Sequence, residues 1–296
     1  MKSLLFAFFT FYIFSPAANE KSLKSPDQEI DFSLINHWML DFRADTIDIK
    51  SLADSIVAKK GLSTYEKVRT VIDWTNKNFE WTATDYKRRT AIEVIDRRGG
   101  NCNEQAMVVR ELLKQLNIPT RRIREINIQP ESERRELSSN EKIKELGLRY
   151  SVFGYRHNDH VWIEFYDEQQ KTWLPADPTL GLVGTEQWLK SRIGFEARPV
   201  HEIIPSRDML VPITILAQDD IKGDFVEDRS SWYLIDQFNA VYNGALQKQK
   251  AWNDWVRMIK YISPKCKEAF EGKTNLHDYT DSIAKIKEIY LQLKSY

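Results

Sequence analysis

The run Gly99-Gly100-Asn101-Cys102-Asn103-Glu104 constrains this chain more than any other feature. Two glycines stop whatever precedes them. Asn101 is a good N-cap, and Glu104 falls three residues later, where its carboxylate can take the cap's own N–H. Ala106, Val109, Leu113 and Leu116 then recur on one helical face, and Asn117 and Pro119 end the helix. The chain is thus expected to form an amphipathic helix whose first residue is a cysteine. At that position Cys102 sits at the positive end of the helix dipole among free backbone N–H groups, which favours a thiolate. The glycines before it are expected to let a substrate backbone come close. The bland alternative is a buried structural cysteine.

A second constraint lies downstream. His160-Val161-Trp162-Ile163-Glu164-Phe165-Tyr166 alternates, with Val161, Ile163 and Phe165 on one face. The polar segment Asp167–Lys171 turns the chain and Thr172–Asp177 returns, giving a β-hairpin. His160 opens its first strand and Asp177 closes its second. The two are expected opposite each other or one step off, with Cβ atoms about 5–7 Å apart. That is the reach a carboxylate needs to orient an imidazole. A thiol, a base and an orienting acid in the order Cys102, His160, Asp177 suits covalent acyl transfer.

The remaining pattern frames these two features. Ser63 with Glu66 and Thr90 with Glu93 are capping boxes that open helices, and Val68, Val71, Ile72, Thr75 and Phe79 follow the first at helical spacing. A short helix is expected from Ser51, a strand over Arg121–Ile128, and a charged surface excursion over 129–147 with a short helix at 140–146. Past 196, Pro199, Pro205 and Pro212 punctuate an irregular stretch. Three amphipathic helices follow it, marked by Ile235 to Ala245, Trp252 to Ile262 and Ile283 to Leu293. Trp232, Trp252 and Trp255 could line a sugar or peptide groove, but are expected to face the core.

Composition excludes several classes. Lys plus Arg and Asp plus Glu each number 43, so no basic excess invites nucleic acid. The chain has only two cysteines, Cys102 and Cys266, too few for a disulfide scaffold or a Cys-rich zinc module. Cys266 is expected as a free thiol. His157 and His160 lack a third ligand, and the acidic stretch Asp219–Asp228 lacks the spacing of a calcium loop, so no metal is expected. At the start, Lys2, the apolar run Leu4–Phe14 and the small residues Ser15 and Ala17 read as a signal peptide over 1–17. The expectation is an exported protein, periplasmic or secreted, with no membrane span after cleavage.

From about Tyr65 to Gly181 the chain resembles the transglutaminase-like superfamily, which shares a papain-like cysteine-protease core. The resemblance rests on Thr90-Ala91-Ile92-Glu93-Val94, Arg98-Gly99-Gly100-Asn101-Cys102 leading to Ala106, and Leu116-Asn117-Ile118-Pro119-Thr120-Arg121. It continues through His160-Val161-Trp162-Ile163-Glu164 and Trp173-Leu174-Pro175-Ala176-Asp177-Pro178-Thr179. His160 follows Cys102 by 58 residues, whereas papain-like proteases place it roughly 130 or more residues on. The resemblance implies Cys102 as nucleophile, His160 as general base and acid, and Asp177 as orienter. It also implies an upstream side chain as second oxyanion donor, either Trp81 or Asn76.

The expected fold is α+β: a transglutaminase-like, papain-like core with the nucleophile helix packed on an antiparallel sheet, plus a C-terminal helical extension. The expected division is a signal peptide (1–17), a lead-in (18–60), the catalytic core (61–195) and the extension (196–296). The expected function is a cysteine hydrolase or acyltransferase acting through a thioester on peptide or isopeptide amides, with peptide or protein substrates and no cofactor. The alternative is a catalytically silent module of the same fold that binds peptides or proteins.

Overall fold

The computed structural model describes residues 48–82, 87–128, 159–194, 211–219 and 224–295. The signal peptide, the excursion over 129–147 with its helix, and His157 lie outside these residues.

Each early helix starts where its cap dictates. Asp48 caps α1 (Ile49–Ile56) by accepting from the backbone of Lys50 and Ser51, two residues ahead of the expected start at Ser51. Ser63 with Glu66 caps α2 (Thr64–Asn78), and Thr90 with Glu93 caps α3 (Ala91–Arg97), both as complete capping boxes. The glycines do not stop α3. Arg98 does, in the left-handed region at φ 56°. Gly99–Gly100 then form a short parallel strand, β2, against β1 (Glu80–Trp81). Asn101 with Glu104 caps α4 (Cys102–Gln115).

The body is a six-stranded antiparallel sheet. Its strands are β3 (Thr120–Ile128), β4 (Asp159–Asp167), β5 (Thr172–Asp177), β6 (Leu182–Val183), β7 (Val211–Gln218) and β8 (Phe225–Asp228). They run in the order β6-β5-β4-β3-β7-β8. Val161, Ile163 and Phe165 share one core with α1, α2, α3 and α4, as the alternation predicts. Leu52, Ala53 and Ile56 of α1 belong to that core, so the core reaches back into the segment read as a lead-in.

The opposite face is buried too. Ile123, Trp162, Ile213 and Ile215 pack against α5 (Thr185–Arg192) and the C-terminal helices. Those helices begin with a π-helical turn (Trp232–Gln237) that runs into α6 (Phe238–Val241). They continue with α7 (Trp252–Phe270) and α8 (Thr280–Lys294), where Trp255, Ile259, Ile286 and Tyr290 face inward. The segment beyond 196 is therefore not purely helical. Its strands β7 and β8 extend the sheet from β3, because Val211–Ala217 supply a nearly unbroken buried run.

Burying the second face of β4 places a carboxylate in the interior. Glu164 accepts from Arg121 Nε at 2.6 Å, Arg229 Nε at 3.2 Å and the Tyr233 hydroxyl at 2.6 Å. Arg229 lies 4.1 Å over the Trp232 ring. Such a cluster is tolerable in the interior only while every partner is present. Replacing Glu164 with Ala leaves Arg121 and Arg229 with Glu227 as their remaining carboxylate and takes the acceptor from the buried Tyr233 hydroxyl, and is expected to lower stability by about 3 kcal/mol in urea denaturation.

Candidate active site

The turn ahead of α4 is held from several sides. A Cβ on Gly99 would come 2.7 Å from the Glu80 carbonyl oxygen, and one on Gly100 would come 2.7 Å from Glu104 Cβ. The glycines therefore serve close approach of the chain to itself, where the sequence had suggested room for a substrate. Gln105 Nε2 donates to the Gly100 carbonyl at 2.9 Å. Glu104 accepts the Asn101 N–H at 3.0 Å and Arg89 Nη1 at 2.7 Å. Cys102 is thereby fixed, half-buried, as the first residue of α4.

The hairpin meets this helix end. The last paired residues of β4 and β5 before its open end are Ile163 and Ala176. His160 lies three residues beyond on one strand and Asp177 one residue beyond on the other. They are thus diagonal neighbours, further out of register than the sequence suggested, yet the imidazole closes the gap. His160 Nε2 lies 2.8 Å from Asp177 Oδ2, and both side chains are buried. The Cys102 sulfur lies near enough to the imidazole to favour its charged form. Since Nε2 is engaged by Asp177, Nδ1 is the nitrogen left for the sulfur.

Asp177 uses both oxygens. Oδ1 accepts the backbone N–H groups of Thr179 at 3.1 Å and Leu180 at 3.3 Å. Oδ2 takes His160 and Arg192 Nη1, the latter at 3.1 Å. Arg192 Nη2 turns to the Glu125 carboxylate, and Glu125 Oε2 accepts Trp162 Nε1 at 2.7 Å.

The electrostatics follow from burial and partners. Burial pushes His160 down, but the Asp177 charge, its hydrogen bond and the neighbouring Cys102 outweigh it, so the imidazole is pushed up to about 10. Burial pushes Asp177 up, but the His160 charge and hydrogen bond, Arg192 and the Leu180 N–H hold it below the ordinary carboxylate value. Burial wins for Glu125, which is raised despite Arg192.

Of the two candidate oxyanion donors, Trp81 is paired with Gly100 beside the Cys102 turn and is partly exposed. Asn76 Nδ2 is turned to the Pro178 carbonyl at 3.5 Å. Both cysteines are free thiols. Among the described residues, no group of three or more His, Cys, Asp or Glu could hold a metal ion. Among the same residues, no helix is long and apolar enough to cross a membrane. A cavity of about 720 Å³ between Tyr65, Leu174, Val183 and α5 is lined by none of Cys102, His160 and Asp177.

Residues 50–178 match the sequence profile of the Transglutaminase-like superfamily. Among solved structures, the chain is similar to a "Putative Cysteine Protease" from Cytophaga hutchinsonii: 20% identity, 53% of this chain and 46% of that one, TM-score 0.32. It is similar to red sea bream transglutaminase: 15% identity, 62% and 37% of the two chains, TM-score 0.34. It is also similar to Rad4-Rad23 bound to a 6-4 photoproduct UV lesion: 13% identity, 87% and 56% coverage, TM-score 0.37. The chain spans under half the length of the first two. No curated protein matches it.

Glu125 and Arg192 were missed in the sequence. Glu125 carried a weak signal, an acid on the same strand face as Ile123. Arg192 carried none, since it ends a short helix of mixed polar residues.

The raised His160 value makes stability depend on pH. Folding favours the charged ring, so its contribution is complete below the ordinary value of 6.5 and is lost as pH rises through about 10. Thermal melts are expected to fall across that interval in the wild type, and His160→Asn is expected to flatten the decline.

Proposed function

We propose that this protein is a thiol-dependent acyl-transfer enzyme acting on peptide or isopeptide amides. One observation carries the reading: His160 is held 2.8 Å from a buried Asp177 with the Cys102 thiol as its other neighbour. Asp177 orients the ring and stabilises its charged form, while the start of α4 offers Cys102 a field that favours negative charge.

In the proposed reaction the charged His160 ring already carries the proton of Cys102 on Nδ1, and the thiolate sulfur of this resting ion pair adds to the amide carbonyl carbon. The carbonyl π electrons move to oxygen, and the oxyanion is met by the Cys102 N–H, one of the donors that an α-helix leaves without an internal partner. Trp81 is assigned as the second donor, on its position beside Gly100. Collapse breaks the C–N bond, His160 returns its proton to the departing amine, and a thioester remains. Water, deprotonated by His160, then releases acid and free thiol; an acceptor amine gives a new amide instead. Hydrolysis is the favoured branch, because no amine-binding site is identified among the described residues. Export is part of the proposal and rests on the apolar run Leu4–Phe14.

The test is turnover on a peptide mixture read by mass spectrometry. Wild type is expected to yield cleaved or amine-exchanged products. Cys102→Ala is expected to lose about 10⁴-fold or more, with His160→Asn close behind because the groups act as a unit. Undiminished product from Cys102→Ala would overturn the enzyme reading. No product, together with a Cys102 that iodoacetamide modifies no faster in wild type than in His160→Asn, would favour the binding module. Trp81→Phe is expected to lower kcat about 10²-fold with KM nearly unchanged, since the oxyanion exists only past the ground state.

A further inference from the structure

The family profile ends at residue 178, yet Asp177 takes a bond from a residue beyond it. Arg192, at the C-terminal end of α5, is 1% exposed and directs Nη1 at Asp177 Oδ2 over 3.1 Å. Its Nη2 bonds Glu125 and lies 3.5 Å from Asn127 Oδ1. Nothing in the proposed reaction has so far used this cation. We propose that Arg192 is a positioning residue that keeps Asp177 charged and aimed at His160, so that this site is completed from outside the matched segment. The proposal rests on the reading of Cys102, His160 and Asp177 given above.

The charges around the site decide the argument. Glu125 comes from β3, His160 from β4 with Glu164 further along the same strand, and Asp177 from β5. Cys102 comes from α4, Arg192 from α5, and Tyr233 from the C-terminal π-helical turn, its hydroxyl committed to Glu164. Asp177 and Glu125 are both fully buried. Without a cation between them, two carboxylates facing one buried space cannot both stay ionised cheaply. Arg192 spans them with the two arms of one planar group, which a lysine cannot copy.

The C-terminal helices hold that arm in place. The guanidinium carbon lies 5.2 Å from the Trp188 ring centre. The Tyr290 hydroxyl of α8 donates to the Ile193 carbonyl at 3.4 Å. A Cβ on Gly194 would come 2.6 Å from Lys190 Cα and 2.8 Å from the Tyr242 oxygen, so α5 ends pressed against this layer. The extension thus does more than cover an apolar face: it fixes the residue that fixes the acid.

The test reads Cys102 alkylation by iodoacetamide against pH, peptide by peptide, and needs no substrate. Cys266 is the internal control, because it is fully buried and burial pushes its thiol up, so it reacts only if the fold opens. Removing the cation makes negative charge in the site harder to hold. Arg192→Gln is therefore expected to move the acid-side midpoint of Cys102 alkylation up by about one pH unit, a tenfold loss of rate below it. Arg192→Lys is expected to fall between Arg192→Gln and wild type. An unmoved midpoint in Arg192→Gln with Cys266 protected overturns the proposal, as does an equal shift in both variants, which would make the role one of shape. Should Arg192→Gln expose Cys266, Arg192→Lys decides alone: a raised midpoint supports the proposal and a wild-type midpoint overturns it. A wild-type Cys102 whose alkylation ignores His160→Asn would instead sink the reading of the site itself.

Discussion

The site depends on one carboxylate, Asp177, being wholly removed from water while keeping its charge. That is affordable only because two backbone N–H groups, an imidazole and a guanidinium all point at it. The turn after β5 supplies the N–H groups, the hairpin supplies His160, and α5 supplies Arg192. The sheet aligns all three. Each element that looks like scaffolding delivers at least one donor to the same two oxygens.

The same principle explains why the second face of the sheet matters. A strand carrying His160, Trp162 and Glu164 would ordinarily show that face to water. Here the C-terminal layer covers it, and the polar atoms are paired: Trp162 with Glu125, Glu164 with Arg121, Arg229 and Tyr233. Trp162, Trp188 and Tyr233 pack edge to face or tilted between the two carboxylates, with ring centres 4.8–5.6 Å apart. The low-polarity surroundings this creates strengthen the His160–Asp177 attraction.

Local chemistry made much of this legible in the sequence. Capping boxes at Ser63, Thr90 and Asn101 announced three helices, and strict alternation announced β4 and its inward residues. The placement of Cys102 at a helix start and of His160 and Asp177 at one end of a hairpin needed only spacing. Long-range partnerships stayed hidden. Nothing local marks Arg192 as the partner of Asp177 and Glu125, since its role exists only once α5 folds back over the sheet. Val211–Gln218 read as irregular because Pro212 hid a strand whose ladder still forms around it. The helix stop at Arg98 was masked by the glycines beside it, whose smallness answers close contacts with Glu80 and Glu104.

The central claim is that His160 stays protonated between the Asp177 carboxylate and the Cys102 sulfur at pH values where an ordinary imidazole is neutral. Nitrogen-15 NMR of the histidine rings across pH 5 to 10 reads this directly. The account predicts a His160 ring protonated on both nitrogens at pH 8, which becomes neutral only near pH 10. A His160 ring that loses its proton near pH 6.5, as a solvated histidine does, would contradict it.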